Sequence, residues 1–155
     1  MRAEAAVTDA GAVGTLAGLF ASAFGAATLL PLQSEAVLVG LLLLDRLPVW
    51  LLLAVATAGN VLGSMLNWFL GRSIERFRTR RWFPAGARQL ARAQAAWQRY
   101  GRWSLLLSWV PVIGDPLTLI AGVMREPLWR FTLIVLVAKL GRYAVLTAAT
   151  LAVAS

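Results

Sequence analysis

The chain of 155 residues carries a formal charge of +8, is 59% hydrophobic and has a mean hydropathy of +0.71, far from the averages of soluble domains. It contains no cysteine and no histidine, which excludes disulfide frameworks, thiolate chemistry, Ser-His hydrolysis and imidazole metal sites. The fold class expected is an all-α integral membrane protein, with no cofactor, no metal and no enzymatic role.

The first uncharged run, Ala10 to Ser34, follows Glu4 and Asp9, which oppose the basic start of a signal peptide, so it is expected to stay in the protein. Gly11, Gly14, Gly18 and Gly25 suit close helix packing. The run closes in Leu29-Leu30-Pro31-Leu32-Gln33-Ser34-Glu35, and only Ala36 to Leu44 remains apolar before Asp45 and Arg46. That second piece rises about 14 Å at ~1.5 Å per residue, roughly half a hydrocarbon core. Residues 10–45 are therefore expected to form a re-entrant helical hairpin turning at Pro31 to Glu35, its irregular backbone satisfied by protein or a wet cavity. One long helix kinked at Pro31 is the alternative.

Residues 47–71 predict a spanning helix, with Pro48 and Trp50 at one interface and Trp68 near the other. Gly59 and Gly63 form a small-xxx-small pattern; Asn60, Ser64 and Asn67 follow one face, which should touch protein and not lipid. Asn60 and Asn67 read as interhelical hydrogen bonders, or as the polar lining of a path together with Ser34.

Residues 72–102 are the polar interlude. They hold 9 of the 15 basic residues, opposed by Glu75 alone. Beside apolar spans, such a stretch reads as a cytoplasmic loop facing anionic lipid. Arg88, Arg92 and Arg99 fall opposite Leu90, Ala93, Trp97 and Tyr100, predicting an amphipathic helix over 84–100 that stops at Gly101. Nucleic acid is not expected as a partner, because the aromatic residues lie opposite the arginines. The tryptophans read mainly as interfacial anchors, and Arg72 and Arg102 as snorkelling anchors in preference to a phosphate clamp.

The second half resembles the first. Residues 103–125 predict another re-entrant hairpin broken at Pro111 to Pro116, with Gly114 in the turn, and residues 127–152 predict a second spanning helix. Pro127-Leu128-Trp129 opens that helix as Pro48-Val49-Trp50 opens the earlier one. With the basic loop in the cytoplasm, the first hairpin enters from outside and the second from inside, an inverted repeat of hairpin plus spanning helix.

Four ionisable residues lie in or beside apolar runs: Glu35, Asp115, Lys139 and Arg142. Intramembrane charges are costly and mark either static pairs or transport groups. The two acids are candidates for coupling or gating, and the two bases, three apart on one helix, for counter-charge or anion binding. Pro31, Pro111, Gly114 and Pro116 are the hairpin-turn candidates.

Leu29-Leu30-Pro31 with Ser34-Glu35, Gly59-Asn60 with Gly63 and Asn67, Leu70-Gly71-Arg72, Ser108-Trp109-Val110-Pro111-Val112-Ile113-Gly114-Asp115-Pro116, and Lys139 with Arg142-Tyr143 together resemble the YqaA-like branch of the DedA family, also called the SNARE-associated or VTT-domain family. The resemblance runs from about Ala21 to Tyr143. It implies a bacterial inner-membrane protein with two re-entrant hairpins, linked to membrane homeostasis, maintenance of proton-motive force and translocation of lipids. The family's acid after the first proline maps onto Glu35. A departure follows the second proline: where the better-studied branch has an arginine in the turn, this chain reads Val112-Ile113-Gly114-Asp115, so that anion clamp does not transfer. The resulting expectation is a small transporter or lipid translocase, with a non-transporting scaffold or assembly factor as the alternative. Membrane lipids are the expected partners, an anionic headgroup or protons the expected cargo, and a homo-oligomer is an option for a chain this small.

Overall fold

The computed structural model describes residues 10–28, 33–77, 95, 97, 99–110 and 114–154. Among the described residues the elements with assigned bounds are α1 Ala10–Ala27, α2 Ser34–Leu43, α3 Val49–Phe77, the 3₁₀ segment Gly101–Trp109, α4 Gly114–Val123 and α5 Leu128–Ala154. Three of them, α1, α3 and α5, are long and apolar enough to cross a membrane. Two were expected; α1 is the addition. Its 18 helical residues rise about 27 Å, close to the ~30 Å of a hydrocarbon core.

The chain divides into two compact units, residues 1–63 with 139–155, and residues 64–138. The boundary falls inside both α3 and α5. In the first unit, α1 and α2 form an antiparallel hairpin. Leu19 on α1 packs with Leu38 and Leu42 on α2, and with Leu52, Ala56 and Tyr143, in one buried apolar cluster. Ala12 and Thr15 line a cavity with Leu41, Leu44 and Leu47, so the start of α1 lies beside the end of α2. One long helix through Pro31 is thereby set aside: α1 ends at Ala27 and a new helix begins at Ser34. Pro31 itself lies outside the described residues.

Glycines let α3 approach α1 closely. A Cβ on Gly59 would sit 2.6 Å from the Phe20 carbonyl oxygen, and one on Gly63 would meet the Phe24 carbonyl and the Ala27 methyl. The predicted small-xxx-small face is thus a backbone-to-backbone contact, the geometry small residues permit between membrane helices. The helix then runs to Phe77, past the expected exit at Gly71. Charge ends an apolar run without ending a helix, and Arg72 to Arg76 are mostly good helix formers.

In the second unit, most of residues 84–100 lie outside the described residues; Ala95, Trp97, Arg99 and Tyr100 are helical. Trp97 and Tyr100, expected on one lipid-facing side, separate: Trp97 is buried and Tyr100 exposed. Helical structure gives way to the 3₁₀ segment at Gly101, where φ is +58°, a conformation glycine adopts without steric cost. The segment expected as the first arm of a second hairpin is 3₁₀, not α, and begins at Gly101. Its partner α4 starts at Gly114, three residues before the apolar run at Leu117 that marked the expected second arm. Gly114 is buried against the other arm: a Cβ there would lie 2.8 Å from Ser108 Cα. Pro116 is thus in the first turn of α4, where a missing N–H costs nothing. Pro111 lies outside the described residues.

Gly71 and Gly122 repeat the close approach between α3 and α4. Added methyls would strike the Leu119 and Trp68 carbonyls respectively. Trp68, expected as an interfacial anchor, is instead buried; its Nε1–H donates to the Glu126 carbonyl at 3.1 Å and its ring lies 6.2 Å from Phe131. Trp50, Trp103, Trp109 and Trp129 are exposed, as lipid-interface anchors are.

Candidate functional site

The two short helices share a design. Ser34 and Gly114, 80 residues apart in the chain, each begin a helix of 10 residues with an acid as its second residue, Glu35 and Asp115. Both acids therefore stand in a helix's first turn and not in the preceding break, where the sequence had placed them. Unpaired N–H groups and the helix dipole favour a carboxylate there. Each helix ends in a two-residue turn whose second member has left-handed backbone, Asp45 at φ +48° and Arg125 at φ +58°. Pro48 and Pro127 follow, and the long helices start at Val49 and Leu128.

In the first unit, Glu35 Oε1 accepts a hydrogen bond from Arg142 Nη2, closing an ion pair between α2 and α5. The pair is only half sheltered: the Arg142 side chain is 19% exposed and that of Glu35 41%. Behind it lies a buried polar chain. Tyr143 Oη and Ser34 Oγ share a hydrogen bond of 3.0 Å. The Asn60 amide donates to Tyr143 Oη at 3.0 Å and to the Ala23 carbonyl at 3.2 Å, so its two N–H groups tie α3 to both α5 and α1. Ser34, Asn60 and Tyr143 are all nearly inaccessible. Residues flanking each member of the ion pair, Ser34 and Tyr143, are therefore locked to one another.

In the second unit, Asn67 Nδ2 donates to Thr118 Oγ1 at 3.2 Å, and the Thr118 hydroxyl donates to the Asp115 carbonyl at 2.6 Å. A buried asparagine of α3 thus reaches, through one hydroxyl, the first turn of an acid-bearing helix in each unit. Asp115 is half-buried. Lys139, in the first unit, is 1% exposed, and Tyr143 one turn later shares its buried face, while Arg142 flanks that face. Arg72 lies with its guanidinium 5.2 Å from the centre of the Trp68 ring, a cation–π contact.

Of the residues singled out from sequence, Glu35, Arg142, Ser34 and Asn60 come together in the first unit. Asn67, Asp115, Gly114 and Pro116 belong to the second. Tyr143 and Thr118 were not assigned roles in advance, although both hold the polar chains together. The signal for Tyr143 was its place four residues after Lys139; Thr118 had none, since a hydroxyl in an apolar run reads equally as a bond to its own helix.

A membrane helix assembly with acid-bearing short helices, packed through glycines and tied by buried asparagines, defines the class of protein. Residues 30–151 match the model of the VTT domain, and the chain belongs to that family, the DedA family. It is 43% identical to proteins called inner membrane protein YqaA in Escherichia coli and Shigella flexneri, over 88% of this chain and 91% of theirs. An uncharacterised protein of Haemophilus influenzae is 35% identical, over 85% of each chain. No solved structure matches.

Proposed function

We propose that the chain is a small inner-membrane transporter or lipid translocase that moves an anionic lipid or ion. The observation that carries this reading is the half-exposed Glu35–Arg142 pair at the start of α2. Arg142 presents five N–H donors suited to a phosphate or carboxylate, and Glu35 occupies part of that donor set. An arriving anion would compete with Glu35 for the guanidinium. Protonation of Glu35 would free Arg142 for the anion, which couples binding to a proton. Asp115 is the corresponding acid of the second unit, and Lys139 is a buried second positive charge on α5.

The parallel order of short helix, left-handed turn, proline and long helix supports a repeat of two hairpin-plus-span modules. Antiparallel packing of α1 on α2 supports a re-entrant first hairpin, both ends on one side. Inverted orientation of the modules follows if residues 72–102 are cytoplasmic, as their charge favours. The relatives' name supports placement in the bacterial inner membrane.

Flux of a labelled anionic lipid in proteoliposomes tests the proposal. Glu35→Ala and Arg142→Ala should each abolish it in folded protein, and Asp115→Ala should lower it; unchanged flux in all three would sink the transport reading. A scaffold or assembly factor is favoured by the same pair seen as a static tie. It predicts that the swap Glu35→Arg with Arg142→Glu restores cellular function, whereas a transport gate should not survive it.

A further inference from the structure

The connection from α2 to α3 carries Asp45 and Arg46 between two apolar runs, and charges so placed sit at the membrane surface because hydrocarbon excludes them. At this end of the hairpin α1 and α2 enclose a cavity of about 430 Å³, within the ~300–1,000 Å³ of small-ligand sites. Ala12 and Thr15 contribute from α1, Leu41 from α2, and Leu44, Arg46 and Leu47 from the connection.

Two of these side chains are polar, and they differ. The Thr15 hydroxyl donates to the Gly11 carbonyl of its own helix at 2.9 Å. Arg46, an exposed residue, is left to set the polar chemistry of the cavity. Asp45, its neighbour in sequence, is not among the lining residues. Leu43 and Trp50, close by in sequence on either side of the connection, are exposed apolar groups of the kind that face lipid. Apolar walls with one guanidinium at headgroup depth match an amphiphile: a hydrocarbon chain that ends in an anionic phosphate.

We infer that this cavity holds one anionic phospholipid, its acyl chain between α1 and α2 and its phosphate on Arg46. The inference goes beyond the transport reading and does not depend on the Glu35–Arg142 pair. The site is a resident lipid's seat at the open end of the first hairpin.

The test is retention of phosphatidylglycerol against phosphatidylcholine of the same acyl chains, read by native mass spectrometry of the full-length protein released from mixed vesicles. Wild type should keep one phosphatidylglycerol in preference. Arg46→Gln should lower that retention about tenfold, the weight of a charge-assisted hydrogen bond, and Arg46→Lys should keep most of it. Ala12→Phe, which fills the apolar part, should lower retention of both lipids. Because Glu35→Gln frees Arg142 under the transport reading, the two sites are separated in that background: Glu35→Gln with Arg46→Gln should retain about tenfold less phosphatidylglycerol at the cavity than Glu35→Gln alone. Equal retention in wild type and Arg46→Gln, or no effect of Arg46→Gln in the Glu35→Gln background, overturns the inference. A measurement without variants stands beside these: phosphatidylglycerol should raise the melting temperature of wild type in detergent more than phosphatidylcholine does, and equal shifts overturn the inference as well.

Discussion

The hydroxyl of Tyr143 joins the Ser34 side chain on one side to the Asn60 amide on the other, all within the buried part of the first unit. Tyr143→Phe keeps the ring and removes that junction. It should destabilise by about 0.5–2 kcal/mol, the range for interhelical hydrogen bonds inside membranes, in reversible unfolding from mixed micelles. Thr150→Ala removes only a bond from Oγ1 to the Leu146 carbonyl of the same helix and should stay within ~0.5 kcal/mol. Backbone geometry gives a second residue-scale prediction. Asp45 has φ +48°, which aspartate tolerates and a β-branched residue does not. Asp45→Gly should therefore be neutral or stabilising, and Asp45→Val should cost about 1–2 kcal/mol in the same assay.

Helix crossings are decided by glycines that differ sharply in what surrounds them. Gly59 and Gly122 have neighbouring carbonyls where a methyl would go; Gly18 and Gly141 have open space. Gly59→Ala and Gly122→Ala should each cost about 1–3 kcal/mol through overpacking, while Gly18→Ala and Gly141→Ala should be neutral or gain up to ~1 kcal/mol from helix propensity. Melting of the four variants checks both halves of this contrast. The long helices α3 and α5 were legible in the sequence because a charge-free run between prolines and arginines has few other ways to satisfy its backbone in lipid. The Gly59 and Gly63 face was legible for the same reason that it works: spacing of four puts both on one side. Helix starts were less legible. Ser34 and Gly114 open their helices inside the expected turns, Pro31 to Glu35 and Pro111 to Pro116, so Glu35 and Asp115 move from a break into a first turn. Hydropathy cannot separate those cases, because an acid is equally at home in a turn and at a helix N-terminus. Trp68 and Trp97 were misplaced for a related reason: an indole has the same composition signal whether lipid or protein covers it, and here protein does.

For the whole molecule, the absence of cysteine makes topology directly measurable, since any introduced thiol is unique. With α3 as a span, Asp45→Cys and Ser73→Cys should react with an impermeant maleimide from opposite faces of the membrane, Ser73 from the cytoplasm. A re-entrant first hairpin further requires that Ala10→Cys label from the same face as Asp45→Cys. Labelling of Ala10→Cys from the cytoplasm would mean that α1 crosses and that the two-module repeat must be redrawn. The pairing of Glu35 with Arg142 was among the arrangements that four intramembrane charges allow; which acid meets which base is a tertiary fact that no local pattern encodes. Family membership, by contrast, was carried by the ordered motifs from Leu29 to Tyr143, because residues at crossings and helix starts are constrained together.

The chain has two tyrosines, and they lie in opposite surroundings: Tyr100 is 61% exposed and Tyr143 1% exposed. Fluorotyrosine incorporation would thus yield two fluorine resonances of very different solvent sensitivity. One of them belongs to a ring one residue from Arg142 and hydrogen-bonded to the neighbour of Glu35. The protein therefore contains its own spectroscopic gauge. A resonance shift of Tyr143 on adding an anionic lipid or lowering the pH, with Tyr100 as the internal reference, would register opening of the ion pair with both of its members left unaltered.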